Sequence, residues 1–210
     1  MVQYAGLPIL EDGKRHMRIV LLGAPGSGKG TQAALLEERL GVPHISTGVL
    51  FRTAVSQQTP LGRKVKSFMD RGELVPDDLT LGLLEERMTH ADAERGFILD
   101  GYPRNLVQAE ALDSLLERLG SPVDEVIQID VDTEQVVARI SKRAAEEGRS
   151  DDSDQVVRNR MRVYQEQTAP VADYYADKGL LTRVLGTGTI EEVTRLIFGV
   201  LEQGAAQRSA

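Results

Sequence analysis

Cysteine is absent from the 210-residue chain, and only three histidines are present. Without cysteine the chain has no disulfide and no zinc or iron–sulfur site held by thiolates. The three histidines are scattered, which also argues against a histidine-rich metal site. We therefore expect no zinc in this protein.

Long apolar runs and an excess of basic residues are missing as well. No run approaches the roughly 20 apolar residues that cross a bilayer, so we expect no membrane association. The 25 basic residues are outnumbered by 32 acidic ones, and the net charge of −7 offers no general positive field to nucleic acid. Residues 1–16 contain Glu11 and Asp12 but no apolar segment, unlike a secretory signal. We expect a cytoplasmic protein in which residues 1–16 are an N-terminal extension or leader.

A glycine-rich segment is the most informative part of the sequence. Residues 23–31 read GAPGSGKGT and lie between an apolar run at 18–22 and a helix-forming stretch. Strand, glycine turn and helix form a phosphate-binding loop, because main-chain N–H groups and the positive end of the helix dipole then face an anion. Lys29 adds a mobile cation and Thr31 a hydroxyl for magnesium, with Gly30 inserted between them. The alternative, a glycine-rich turn with a surface lysine, does not explain the flanking strand and helix.

Short β-like runs alternate with helical patterns along the chain. The runs are 18–22, 43–46, 96–100, 125–130 and 181–185, and the helical patterns are 31–40, parts of 47–88, 106–119, 133–145, 154–177 and 190–202. This alternation predicts an α/β fold, a three-layer sandwich around a five-stranded parallel sheet, which binds ligands at the carboxyl ends of its strands. Two polar segments, 46–75 and the helix break at 146–152, are too long for simple crossovers and are candidate lids.

Asp100 and a set of arginines are further candidates for the binding site at the carboxyl ends of the strands. Asp100 ends the third strand, where a carboxylate can hold Mg²⁺ through water, although it could also serve only as a turn former. Arg139 and Arg143 are four residues apart and share a helix face. The other arginines are Arg52, Arg104, Arg149, Arg158 and Arg160. Each alone could be a surface ion-pair partner, whereas their joint placement favours binding of a transferring phosphoryl group.

Five motifs together resemble the adenylate kinases of the bacterial type with a short lid. They lie at 23–31, 45–48, 72–77, 96–105 with Gln108, and 148–160, and the resemblance runs from Met17 to about Glu202. It implies a P-loop kinase core at 17–204 with a mobile insertion for the nucleoside monophosphate at 46–75, a mobile short lid at 142–152, and a tail at 205–210. It also implies a monomer that catalyses reversible, Mg²⁺-dependent phosphoryl transfer from ATP to AMP, giving two ADP and maintaining the adenine nucleotide balance.

The resemblance also assigns roles to single residues. Lys29 would bridge the donor and acceptor phosphates, while Asp100 (through water) and Thr31 would serve the magnesium ion. The implied catalytic residues are Lys29, Arg104, Arg143, Arg149 and Arg160. The implied ATP contacts are Gly26, Ser27, Gly28, Lys29, Gly30, Thr31, Arg139, Arg143 and Gly188. The implied AMP contacts are Thr47, Arg52, Glu73, Leu74, Val75, Gly101, Tyr102, Pro103, Arg104, Gln108, Arg149 and Arg160.

Two of these residues favour adenine rather than a pyrimidine as the acceptor base. Gln108 can accept a hydrogen bond from an exocyclic amine and donate one to the adjoining ring nitrogen, which matches the edge of adenine. By the same resemblance, Thr47 occupies a position at which the related pyrimidine monophosphate kinases have a smaller residue. A kinase for another nucleoside monophosphate remains the alternative enzyme.

Val49 and Leu185 depart from the pattern of the family. The family usually has aspartate at the position of Val49 and often has it at the position of Leu185. Val49 removes a carboxylate from the surroundings of the magnesium waters, so we expect a lower activity or a greater demand for magnesium. This departure also leaves open a catalytically silent nucleotide-binding module. The retained Lys29 and the lid arginines argue against that alternative, because nucleotide binding alone does not require them.

Overall fold

The computed structural model describes residues 17–147 and 153–208, and within them a five-stranded sheet forms the centre. The strands are β1 (Met17–Leu22), β2 (His44–Ser46), β3 (Gly96–Asp100), β4 (Glu125–Asp130) and β5 (Leu181–Leu185). They are all parallel and lie in the order β2-β3-β1-β4-β5. The predicted fold class is confirmed, and each predicted strand agrees with the structure to within one residue at either end.

Helices connect the strands and cover both faces of the sheet. They are α1 (Lys29–Leu40), α2 (Thr47–Ser56), α3 (Pro60–Arg71), α4 (Asp77–Met88), α5 (Leu106–Arg118), α6 (Thr133–Glu147), α7 (Asp154–Val163), α8 (Pro170–Asp177) and α9 (Ile190–Arg208). A short 3₁₀ turn, Ala91–Ala93, precedes β3. None of the helices in the described ranges is long and apolar enough to cross a membrane.

Two helical predictions need correction. The pattern at 154–177 predicted one helix, but a π-helical turn at Tyr164–Thr168 separates α7 from α8. Pro170 has no N–H to continue an α-helical ladder, and the N–H of Ala169 bonds the carbonyl of Tyr164, five residues back, at 2.8 Å. The last helix runs to Arg208 and not to Glu202, through residues 205–208 of the predicted tail. Alanine, glutamine and arginine in that stretch are all good helix formers.

Alternating residues of the strands build two cores, one on each face of the sheet. Ile19 and Leu21 of β1 pack with side chains of α1 and α9, including Leu36 and Phe198. Val20 and Leu22 belong to the opposite cluster, with side chains of α5 and α8 that include Leu112 and Tyr175. This period of two is the reason that β1 is apolar at nearly every position, because both of its faces are buried.

The helices α2 and α3 form a lobe with its own small core. Phe51, Val65 and Val75 are buried together in a cluster separate from those on the sheet. The lobe also touches α7, where Asn159 Nδ2 donates to the carbonyl of Arg71 at 2.6 Å. Of the predicted lid, residues 142–147 are the end of α6, whereas 148–152 lie outside the described residues, as does the predicted extension at 1–16.

A polar cluster joins α5 to α8 at the edge of one core. Asp113 accepts hydrogen bonds from Tyr174 Oη at 2.9 Å and from Tyr175 Oη at 3.3 Å, and it also pairs with Lys178. Burial raises the pKa of the Tyr175 phenol, with the charge of Asp113 acting in the same direction, so the hydroxyl stays a donor. Asp113 therefore satisfies a buried phenol that would otherwise lack an acceptor.

Replacement of this carboxylate tests its contribution to stability. Asp113→Ala is expected to cost about 2 kcal/mol, because the buried hydroxyl of Tyr175 loses its partner, and to lower Tm by roughly 4–8 °C. Glu110→Ala is the matched control, an exposed carboxylate on the same helix, and is expected to leave Tm nearly unchanged. Thermal unfolding followed by circular dichroism measures both. Equal Tm values for the two variants would contradict the structural role of Asp113.

Candidate active site

A cleft of about 820 Å³ opens at the carboxyl ends of the strands. Its walls come from the loop after β1, the ends of β2 and β3, the helices α6 and α7, and the turn after β5. In a parallel sheet this edge collects the loops that follow the strands, which is why residues distant in the chain meet there. The cleft brings together all nine residues predicted to bind ATP, namely Gly26, Ser27, Gly28, Lys29, Gly30, Thr31, Arg139, Arg143 and Gly188.

The side chain of Lys29 lies beneath the glycine-rich loop. Its Nζ donates to the carbonyl oxygens of Gly23 at 2.7 Å and Ala24 at 2.8 Å, and to Ser27 Oγ at 3.3 Å. The pKa of Lys29 is lowered to about 8, mainly by burial; the charge of Asp100 opposes this change, whereas the nearby arginines, Arg104 foremost, contribute to it. A cation that has lost its water in this way is stabilised by any anion that enters the cleft.

The loop is shaped to present backbone to a ligand. Gly26 has φ +80°, and a Cβ there would come within 2.7 Å of Ile140 Cγ1, so only glycine fits against α6. The helix α1 begins after Gly28, which has no side chain to cap it. The N–H groups of the first turn of α1, together with the helix dipole, are therefore available to a phosphate.

Asp100 sits among polar side chains of the neighbouring strand. Its Oδ2 lies 3.4 Å from Ser46 Oγ and 3.5 Å from His44 Nε2. Burial raises the pKa of Asp100, but the nearby imidazole of His44 and the charge of Lys29 bring it below its ordinary value, so the carboxylate is charged. His44 was not among the residues predicted for the site. The available signal was its position two residues before Ser46, because residues two apart in a strand point to the same face of the sheet. Ser46 pairs with Asp100 on the neighbouring strand, so His44 lies on the face where Ser46 meets Asp100.

The arginines divide into cleft residues and one surface residue. Arg139 donates to the carbonyls of Gly186 at 2.8 Å and Ser27 at 3.4 Å, so it joins the turn after β5 to the phosphate loop. Arg143 and Arg160 also line the cleft. Arg158 does not: its side chain is 83% exposed and pairs with Asp154 on the same helix, which is the surface role expected for a single arginine. Arg149 lies outside the described residues.

A smaller cavity adjoins the cleft beneath α2 and α3. It is lined by most of the predicted AMP contacts, namely Thr47, Arg52, Glu73, Leu74, Val75, Gly101, Arg104, Gln108 and Arg160, while Pro103 lines the main cleft. Tyr102 is the exception, because its side chain is 1% exposed and packs in the core of the sheet. Its predicted contact is therefore reduced to the backbone.

The loop after β3 is held by side chains from two other elements. Thr47 Oγ1 donates to the carbonyl of Gly101 at 2.8 Å, and Arg104 Nε donates to the same oxygen at 2.7 Å. From the π-helical turn, Thr168 Oγ1 donates to the carbonyl of Arg104 at 2.7 Å. Thr168 was not among the predicted site residues, and no motif in the sequence points to it. These bonds fix the backbone from which the Arg104 side chain enters the cleft.

The oxygen atoms near the phosphate loop fit a hard cation. Asp100, Ser46 and Thr31 line the cleft with a carboxylate and two hydroxyls, the donor types that Mg²⁺ prefers. Across residues 17–147 and 153–208, no three His, Asp or Glu side chains are grouped closely enough to hold a metal by themselves. These residues fit an ion that also needs phosphate oxygens and water as ligands, as magnesium does.

Comparisons with known proteins agree with one another. A family model described as "Adenylate kinase" matches residues 21–180. A protein of that name from Stenotrophomonas maltophilia (strain R551-3) is 54% identical over 186 residues, which cover 89% of this chain and 100% of that protein. Those from Xanthomonas campestris pv. campestris (strain B100) and Xylella fastidiosa (strain 9a5c) are 55% and 54% identical, covering 86% and 88% of this chain and 97% and 99% of theirs. Each similarity thus spans nearly the whole of the related protein.

Proposed function

The chain belongs to the adenylate kinase family, and from this we infer how its cleft carries out the reaction of that family, the reversible transfer of a phosphoryl group from ATP to AMP to give two ADP. The chain is thus a nucleoside monophosphate kinase, a phosphotransferase. One observation carries the assignment of residues. The main cleft and the smaller cavity share Arg52, Arg104 and Arg160, so phosphates of two nucleotides can meet between these side chains.

The phosphate loop is the ATP side of the proposed site. The first-turn N–H groups of α1 would hold the phosphates of ATP, and Lys29 would follow the transferring group between donor and acceptor. Arg139 and Arg143 would face ATP from α6, and the turn at Gly188 would lie against its adenine. The charge that develops on the transferring group spreads over several oxygens, so fixed cations around it lower the barrier.

The smaller cavity is the AMP side. Thr47, Leu74 and Gln108 would surround the base, while Arg52 and Arg104 would hold the phosphate. The attacking group is a phosphate that is already an anion, so the reaction needs positioning and charge stabilisation and no general base. We assign Arg149, from outside the described residues, to the same group of cations as Arg160.

The magnesium ion that the family uses with ATP would be held near Asp100 and Thr31. Such an ion neutralises charge on the phosphate oxygens. Within the protein, Asp100 would hold the waters of the ion, and Ser46 and His44 keep this carboxylate in place by the contacts described above.

We also propose that residues 46–75 and 142–152 act as mobile segments on the core at 17–204. The first contains the lobe of α2 and α3, whose core is separate from the sheet. Its contact with α7 through Asn159 joins it to the helix that carries Arg160. Closure of such segments excludes water and brings distant arginines to one ligand.

Removal of the Lys29 cation tests the proposed phosphate site. Lys29→Ala is expected to lower kcat at least about 100-fold, a loss of about 2.7 kcal/mol of transition-state stabilisation. A coupled assay of ADP formation from ATP and AMP measures the rate. Lys64→Ala is the control, since Lys64 is exposed on α3 and outside both cavities, and it should behave as the parent. A Lys29→Ala variant within a few-fold of the parent would show that the assignment of the loop is wrong.

Removal of the Gln108 amide tests the proposed base contact. Gln108→Ala is expected to raise the KM for AMP and to narrow the ratio of kcat/KM between AMP and IMP, because a site without the amide no longer reads the edge of the base. Initial rates with each acceptor at saturating ATP give the ratio. The KM for ATP, which binds on the other side of Lys29, is the internal control and should not change. An unchanged AMP-to-IMP ratio would rule out the role of Gln108.

Val49 offers a test of the magnesium site. Its side chain is 49% exposed and lines the cleft, so it does not serve to fill a core, and its N–H lies 3.5 Å from Ser46 Oγ. A carboxylate here would add a second acceptor for the waters of the ion. Val49→Asp is expected to lower the magnesium concentration for half-maximal rate by about 10-fold, the usual size of such an effect on metal affinity. Val49→Asn is the uncharged control of similar shape. Identical magnesium titrations for Val49→Asp and the parent would mean that Val49 has no bearing on the metal.

A further inference from the structure

The side-chain amide of Gln108 is held from two directions by groups with opposite hydrogen-bonding roles. Its Oε1 accepts from the backbone N–H of Arg104 at 2.7 Å, and its Nε2 donates to Asp77 Oδ1 at 2.7 Å. A backbone N–H can only donate, and a carboxylate can only accept. The positions of oxygen and nitrogen in this amide are therefore determined by its partners.

Asp77 is itself fixed at the junction of two helices. It is the first residue of α4, and its Oδ1 also accepts from Asn105 Nδ2 at 3.1 Å. Asn105 Oδ1 in turn accepts from the N–H of Gln108 at 2.8 Å and so caps α5. Asp77 thus connects the start of α4 to the start of α5 at the wall of the smaller cavity.

Each end of the Gln108 amide keeps one further hydrogen-bonding position. Oε1 has a second lone pair and Nε2 a second hydrogen, and Gln108 lines the cavity although it is only 2% exposed. A base in the cavity therefore meets an acceptor and a donor in a fixed order. A glutamine without such partners could rotate its amide by half a turn and present the reverse order.

The fixed order distinguishes two classes of base. Adenine has an amino group beside a ring nitrogen that accepts, and hypoxanthine has an oxo group beside a ring N–H. Hypoxanthine has nearly the same size, so shape alone separates it poorly from adenine, and a turned amide would pair with it as well.

We propose that Asp77 is a positioning residue that locks the Gln108 amide and thereby makes the acceptor site reject nucleotides with an oxo group at this edge. The proposal rests on the proposed function, in which Gln108 contacts the base of AMP. Cytosine shows the same amino-and-acceptor order as adenine, and the lock therefore gives no selectivity between AMP and CMP. A change in the orientation of the Gln108 amide therefore alters selectivity against IMP but not against CMP, whereas a general disturbance of the cavity alters both.

Asp77→Asn is the variant that removes one of the two constraints on the amide. Asparagine has the same size but offers a donor as well as an acceptor, so it can face either end of the Gln108 amide, and only the backbone N–H of Arg104 then opposes the turned orientation. Asp78→Asn is the matched control, because Asp78 is also in the first turn of α4, loses the same charge, and is exposed. The measurement is kcat/KM for AMP, IMP and CMP at saturating magnesium-ATP. Ratios taken within one preparation are independent of the fraction of folded protein.

For Asp77→Asn, the AMP-to-IMP ratio is expected to fall about tenfold, the effect of one mispaired polar group, while the AMP-to-CMP ratio stays within about twofold. For Asp78→Asn, neither ratio should change. An AMP-to-IMP ratio that falls less than about threefold would overturn the proposal, as would an equal fall of both ratios. Gln108→Ala in the same assay distinguishes the proposed contact of Gln108 with the base from the proposed positioning of its amide by Asp77. If Gln108→Ala narrows the AMP-to-IMP ratio and Asp77→Asn does not, the role of Gln108 stands and only the positioning role of Asp77 is refuted.

Discussion

The buried ammonium of Lys29 is the constraint around which the cleft is arranged. All three of its hydrogens are taken by oxygen atoms of the loop that surrounds it, and burial brings its pKa to about 8. Arg104, Arg143 and Arg160 stand near enough to contribute to this lowering. A chain with a net charge of −7 therefore contains one strongly positive site. Such a concentration of cations attracts a polyanion strongly, and this is the basis on which the proposed function gives the same residues the phosphates of two nucleotides and the group passing between them.

Local patterns predicted the fold well because the sheet is built from short, bounded segments. Four of the five strands are short runs that end in aspartate or stop directly before a glycine, and the glycine motif at 23–31 has only one structural context that explains it. The failures have equally local causes. The break between α7 and α8 depends on Pro170, whose missing N–H turns a continuous pattern into a π-helical turn. The end of α9 was misplaced because good helix formers continue after the last apolar position.

The candidate site was only partly predictable, because the positions of its side chains depend on contacts between distant segments. Thr168 supports the carbonyl of Arg104 from 64 positions away, and Asp77 holds the amide of Gln108 across 31 positions. A sequence shows that a loop carries an arginine or a glutamine, but not which neighbour fixes its backbone or its amide. Tyr102 shows the opposite failure. It belongs to a motif that matches the family, but its side chain packs in the core and does not line the site.

Under the proposed function, base selectivity in the smaller cavity separates into two physical parts. The hydroxyl hydrogen of Thr47 is already donated to the carbonyl of Gly101, so the effect of this residue on a base comes mainly from its volume. Volume separates purines from pyrimidines, but it does not separate adenine from hypoxanthine, which has almost the same outline. That second distinction requires a donor and an acceptor in fixed order, and a glutamine amide supplies one only when its neighbours prevent it from turning. Asp77 and the backbone of Arg104 are the neighbours that meet this requirement.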